Sequence, residues 1–237
     1  INIINHSFGG PTCALFASLL QNGSAEERSK TSDGTLSPFF EGGKADWIYS
    51  ITALAGTFKG TSLVTGKQAV GESFDSLKTD ISALIPGANA KQTGLIDAFI
   101  GSVSGLLQFA TSGKVADPDT ALYDMHPDNA KEMFRDIEIL GNVYYFTVPH
   151  CATKASPDGT YQTGDLAVAD FAFYPFSNIL GRTNFVTDGG LVLDARWQEN
   201  DGIVNTVSEN APFDTVYNEI GAAPSKALAE VGFSKGI

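Results

Sequence analysis

Ile1-Asn2-Ile3-Ile4-Asn5-His6-Ser7-Phe8-Gly9-Gly10-Pro11-Thr12 opens the chain, and the reading of this stretch decides the fold. Its first four residues form a short β-branched run that stops at His6-Ser7, the pattern of a strand. After Pro11, apolar Leu15, Phe16, Leu19 and Leu20 recur at helical spacing, and proline suits a helix start. The expected order is strand, tight turn, helix, with Ser7 in the turn. The helix should end near Gln21-Asn22-Gly23, where glycine supplies a left-handed cap, and Ser24-Ala25-Glu26-Glu27 should begin another.

A serine hydroxyl is a poor nucleophile until a base takes its proton and the fold presents it where a carbonyl can reach it. A strained strand-to-helix elbow does the second, provided the residues two before and two after the serine are small. Gly9 meets that condition; Asn5 departs from it and is expected to crowd the turn. The N–H of Phe8 follows the nucleophile directly and is the candidate oxyanion donor.

Working outward, Asp46 to Leu54 has the aromatic and β-branched enrichment of a second strand, closed by Gly56-Thr57-Phe58-Lys59-Gly60. Two helical stretches are expected over 74–85 and 93–109. The second carries Leu95, Ile96, Phe99, Ile100, Val103, Leu106, Leu107 and Phe109, wider than one core-facing stripe; a lid and a helix buried on most sides both fit. A polar helix around 129–138, a strand at 143–148 and a long loop from 149 to 165 follow. Leu191 to Asp194 then leads into a charged loop, Trp197 to Val204.

With 237 residues, 43% of them hydrophobic, the chain is expected to form one domain with a sizeable core. The formal charge of −12 repels a nucleic-acid backbone or an anionic membrane and suits a neutral substrate. No run of about 18 apolar residues suggests a membrane span. Cys13 and Cys151 are the two cysteines, either a pair or two separate buried thiols. Asn22-Gly23-Ser24 is a glycosylation sequon, which leans toward secretion.

Several blocks together resemble the secreted triacylglycerol lipases of bacilli and staphylococci, members of the α/β-hydrolase superfamily. They are His6 to Thr12, Ser18 to Arg28, Leu36 to Gly43 and, most specifically, Asp194-Ala195-Arg196-Trp197-Gln198-Glu199-Asn200-Asp201-Gly202-Ile203-Val204-Asn205-Thr206-Val207-Ser208. The resemblance implies an α/β-hydrolase fold: a mostly parallel central sheet, helices on both faces and a lid-like helical insertion at about 73–113, in a single domain over 1–237. It implies a carboxylic ester hydrolase working through a Ser-His-Asp triad, with Ser7 as nucleophile and Asp201 as the acid. Asp194 is the nearest rival for that acid, and a loop carboxylate capping its own turn is the plainer reading of Asp201.

His6, His126 and His150 all precede Asp201, whereas the family's histidine follows the acid. The base is therefore expected beyond Ile237, and the chain is expected to be incomplete at both ends. Asp119 matches a zinc-binding carboxylate of the family, alongside its reading as a helix cap; structural zinc or calcium is implied by resemblance alone, and the chemistry needs no cofactor. The implied partner is a neutral lipid or ester, met at an oil-water interface outside the cell. The alternative is an inactive lipase-fold protein with a structural or binding role. Asn5, the missing histidine, and Thr57-Phe58-Lys59-Gly60 standing for the usual Pro-His-Asp-Gly motivate that alternative.

Overall fold

The computed structural model describes residues 1–65, 117–163 and 174–218. In chain order its first elements are β1 (Asn2–His6), α1 (Gly9–Asn22), α2 (Ala25–Lys30) and β2 (Ser50–Leu54). Next come α3 (Ala121–Asp124), α4 (Pro127–Asp136), β3 (Tyr144–Val148), β4 (Thr153–Ala155) and β5 (Tyr161–Thr163). The last are α5 (Tyr174–Leu180), β6 (Phe185–Val186), β7 (Val192–Leu193) and α6 (Thr206–Asn210). The helices expected over 74–85 and 93–109, and with them the lid, lie outside the described residues.

The described residues fall into two compact units, the first comprising 1–58, 132–149 and 209–218. It holds a parallel sheet in the order β1-β2-β3, with Ile3 opposite Ile51 and Ile51 opposite Tyr145. Because side chains alternate along a strand, these residues share one face, and Asn5, Ala53 and Thr147 extend it. Ala17 and Leu20 of α1 pack there with Ile48, Ile51, Leu140 and Val143. Ala14, Ala53, Phe58, Phe134 and Ile137 make a second cluster toward the strand ends. Each fully buried Leu or Ile of this kind stabilises the fold by about 1.5–3 kcal/mol.

The second unit comprises 59–65, 117–131, 150–163 and 174–208. Its core mixes Leu63, Leu180, Leu193, Trp197 and Val204 with buried Ser62, Thr183, Asn200 and Asn205. Its strands form two-stranded antiparallel ribbons, β4 with β5 and β6 with β7.

Several expectations shift in detail. The first helix begins at Gly9, placing Pro11 inside its first turn, where the missing N–H has no intrahelical acceptor to lose. Its end is as expected: Gly23 has φ +66° and donates to the Leu19 carbonyl. Ser24 caps α2 by accepting from the Glu27 N–H at 3.2 Å. The second strand starts at Ser50 rather than Asp46, because Ala45–Trp47 coils into a 3-10 turn that carries Ala45 and Ile48 into the core. The polar helix runs Pro127–Asp136, two residues earlier than expected. The loop from 149 contains the β4-β5 hairpin, whose Ser156-to-Thr160 turn has Gly159 at φ +82°. Cys13 and Cys151 are both free thiols; Cys151 is exposed, not buried.

Candidate active site

β1 ends at His6, α1 begins at Gly9, and Ser7 between them holds φ +56°. That left-handed conformation is rare for a residue with a Cβ. Three backbone hydrogen bonds hold it: Ser7 N donates to Leu54 O at 3.0 Å, and Ser7 O accepts from Gly10 N at 3.0 Å and from Thr57 N at 3.3 Å. The serine, next in the chain after β1, is thereby tied to the end of β2 and to the first turn of α1.

The two glycines that follow let the helix approach this closely. A Cβ on Gly9 would lie 3.0 Å from the Asn5 Cβ, and one on Gly10 would lie 3.1 Å from both Gly56 Cα and Phe58 Cζ. Asn5 is thus accommodated because its opposite number is Gly9, which answers the expected crowding. Its carboxamide is another matter: Nδ2 and Oδ1 are both buried without a hydrogen-bond partner among the described residues. Beside it, burial pushes the Cys13 thiol pKa up, the Asn5 amide opposing this without reaching hydrogen-bond geometry.

Phe8 sits at the start of α1, with φ −61° and ψ −13°, and its carbonyl accepts from the Thr12 N–H and hydroxyl. Among the described residues nothing accepts the Phe8 N–H, and the first turn of α1 carries no acidic side chain. The positive end of the helix dipole at Ser7 is therefore not neutralised by its own helix.

Asp201 lies in the second unit, half-buried at the tip of a tight loop. Its Oδ1 accepts from Ile203 N at 2.8 Å and Val204 N at 2.7 Å, which does make it a cap of its own turn. Its Oδ2 receives no hydrogen bond from the described residues, so one oxygen stays available for a base. Asp194, the rival, is committed: Arg196 binds it through Nε at 2.9 Å and Nη2 at 2.8 Å. The Arg196 hydrogen bond holds the half-buried Asp194 carboxyl below its usual pKa.

The three histidines stand in different local settings. His6 is exposed at the end of β1, on the sheet face opposite Asn5. His126 precedes α4 and caps it, its Nδ1 accepting from Asp128 N at 3.3 Å. His150 is exposed, and its carbonyl accepts from the Thr206 hydroxyl at 2.8 Å. Asp119 is exposed beside Asp117, which accepts its N–H, and Thr120 rather than Asp119 caps α3. Among the described residues no three His, Cys, Asp or Glu side chains converge on a point that would hold a metal. A solitary exposed carboxylate does not amount to a zinc site, and the chemistry below is routed through no metal.

The profile of the family described as "Lipase-like, C-terminal domain" matches residues 1–235. The chain belongs to this lipase-like family. Among curated relatives, this lipase-like domain is 27% identical to lipase 1 of Staphylococcus aureus strain MRSA252 over 248 residues, 98% of the chain and 34% of the relative. With the lipase of Staphylococcus epidermidis it shares 26% over 245 residues, 98% of the chain and 33% of the relative. It thus spans about a third of the length of these relatives. Among solved structures it is similar to EstA from Clostridium botulinum, with TM-score 0.64 and 29% identity over 92% of this chain and 54% of that one. It shares its fold with Staphylococcus hyicus lipase, at TM-score 0.59 and 22% identity over 90% of this chain and 54% of that one.

Two contributions to this geometry were not anticipated from sequence. One is the Thr57 N–H, which a proline at that position would lack. The other is the pair of asparagines flanking Asp201, both fully buried; the only local signal was their symmetric placement around Asp-Gly-Ile-Val.

Proposed function

We propose that the lipase-like domain carries the nucleophile and the acid of a secreted carboxylic ester hydrolase with an α/β-hydrolase fold, acting on acylglycerols. The observation that carries this is the left-handed Ser7 at the strand-to-helix turn, the backbone state that an exposed nucleophilic serine needs. In this reading Ser7 Oγ attacks the ester carbonyl, and the Phe8 N–H receives the developing oxyanion. A histidine takes the serine proton and returns it to the departing alcohol, with Asp201 Oδ2 holding the imidazolium. Water then releases the fatty acid from the acyl-enzyme. The fold is read as one domain with its lid within about 73–113, and zinc held in part by Asp119 is kept as a structural proposal only.

The staphylococcal lipase relatives support this reading through their names, and the unengaged Oδ2 of Asp201 through its geometry. A fluorophosphonate probe applied to the intact protein tests it. Stoichiometric labelling that Ser7→Ala abolishes is the expected result. An intact protein that is neither labelled nor able to hydrolyse an ester would replace the enzyme by the inactive lipase-fold alternative, and hydrolysis unchanged in Ser7→Ala would remove Ser7 as the nucleophile.

A further inference from the structure

The Asp201 loop is gripped from beneath by two amides. Asn200 and Asn205 face each other across an isolated antiparallel bridge, and both are 0% exposed. Thr206 N donates to Glu199 O at 2.8 Å and Asp201 N to Val204 O at 3.1 Å, closing the turn above them. Asn200 Oδ1 accepts from Gly202 N at 2.9 Å, while its Nδ2 donates to Gln198 O at 2.9 Å and to Ser177 O at 3.1 Å. Asn205 Oδ1 accepts from Ser62 N at 2.8 Å, and its Nδ2 donates to Ser62 Oγ at 3.0 Å and to Trp197 O. Ser62 Oγ pairs onward with Thr183 Oγ1 at 2.8 Å.

Each position requires one acceptor and two donors on a flat group, which is the inventory of a primary amide. An aspartate in either place would turn a buried charge toward carbonyl oxygens, and an apolar residue would orphan all of these partners. The turn itself occupies Asp201 Oδ1, so the direction of Oδ2 follows the backbone that the two amides anchor. We propose that Asn200 and Asn205 are positioning residues, which aim Asp201 Oδ2 at the base. The assignment rests on the Ser7 and Asp201 reading given above.

The test uses the intact protein and a soluble ester, comparing wild type, Asn205→Ser, Asp201→Ala and the double variant. Asn205→Ser is expected to lower kcat by about 100-fold, the effect of a misplacement near 1 Å, with KM held within about twofold. The acid limb of kcat/KM shifts to lower pH, because the imidazolium loses its aligned carboxylate. In the Asp201→Ala background the same substitution costs nothing further, since it acts through Asp201. A lowered Tm with kcat and the acid limb unchanged, or a loss that multiplies with that of Asp201→Ala, makes the amide purely structural and overturns the proposal. If Asn205→Ser does not fold, Asn200→Ser carries the same comparison. An Asp201→Ala variant with full kcat overturns the Asp201 assignment and this proposal with it, a result distinct from either Asn205 outcome.

Discussion

Ser7 holds a left-handed backbone with a side chain attached, an arrangement that costs of order 1–3 kcal/mol unless its surroundings enforce it. The backbone hydrogen bonds to Leu54, Gly10 and Thr57 enforce it, and the turn closes because the missing Cβ of Gly9 leaves clearance for Asn5. Gly9→Ala is expected to destabilise the protein by about 1–3 kcal/mol through overpacking. In an Asn5→Gly background the same change should cost markedly less, as contacting residues are non-additive. Thermal unfolding of the four proteins measures this, and additive losses would show that the two positions do not press on each other. The Asn5 carboxamide, unpaired among the described residues, supplies a second expectation: Asn5→Ala should be neutral or stabilising, by up to about 1 kcal/mol, because it removes a buried unsatisfied group. A clear drop in Tm would mean that the amide contributes more than it costs. The serine, its strand and its helix were legible from sequence, since periodicity and turn residues act over a few positions. The fit of Asn5 was not, because it depends on a clearance that only the folded turn defines.

At the scale of elements, the segment Gly56 to Gly60 joins β2 to the rest of the chain while bracing the elbow. Thr57 stands where the resemblance leads one to expect proline and so keeps a backbone donor, and Thr57 N reaches Ser7 O at 3.3 Å. Thr57→Pro should cost about 1 kcal/mol for the lost hydrogen bond and slow labelling of Ser7 by the phosphonate. Unchanged stability together with an unchanged labelling rate would show that this bond contributes nothing. Helix ends were read well: Gly23 and Ser24 act where their side-chain chemistry predicts. The β4-β5 hairpin was missed, although Pro157-Asp158-Gly159 is turn chemistry, with Asp158 Oδ1 accepting from Thr160 N at 3.0 Å. Its strands are three residues each, too short for alternation to stand out from a polar loop.

For the whole molecule, charge and protonation set the expectations. The formal charge of −12 predicts stronger adsorption to a neutral emulsion than to one doped with anionic lipid. Raising the salt should narrow the difference through screening; equal adsorption to both at low salt would contradict it. His126 governs part of the acid response, because burial depresses its pKa while Asp128 and Asp188 pull it partly back. A histidine that binds its proton less readily when folded favours the unfolded chain as it protonates. Its stabilising contribution is complete above the ordinary value of about 6.5 and is lost as pH falls from there toward the depressed folded value. His126→Asn keeps a capping side chain, so its denaturation midpoint should fall less than that of wild type between pH 7 and pH 5. Parallel pH dependences would remove His126 from the explanation.

The strand-Ser-helix opening, the ends of α1 and α2, and the identity of Ser7 and Asp201 as candidates were all contained in local pattern and resemblance, because caps, turns and periodicity act between near neighbours. The fate of the two carboxylates was not. Asp194 and Asp201 look alike as loop acids, and only the folded chain commits one to Arg196 while leaving the other an oxygen that no described residue engages. The same holds for Asn205, whose carboxamide meets Ser62 from 143 positions away, a pairing that chain topology, not sequence proximity, brings about.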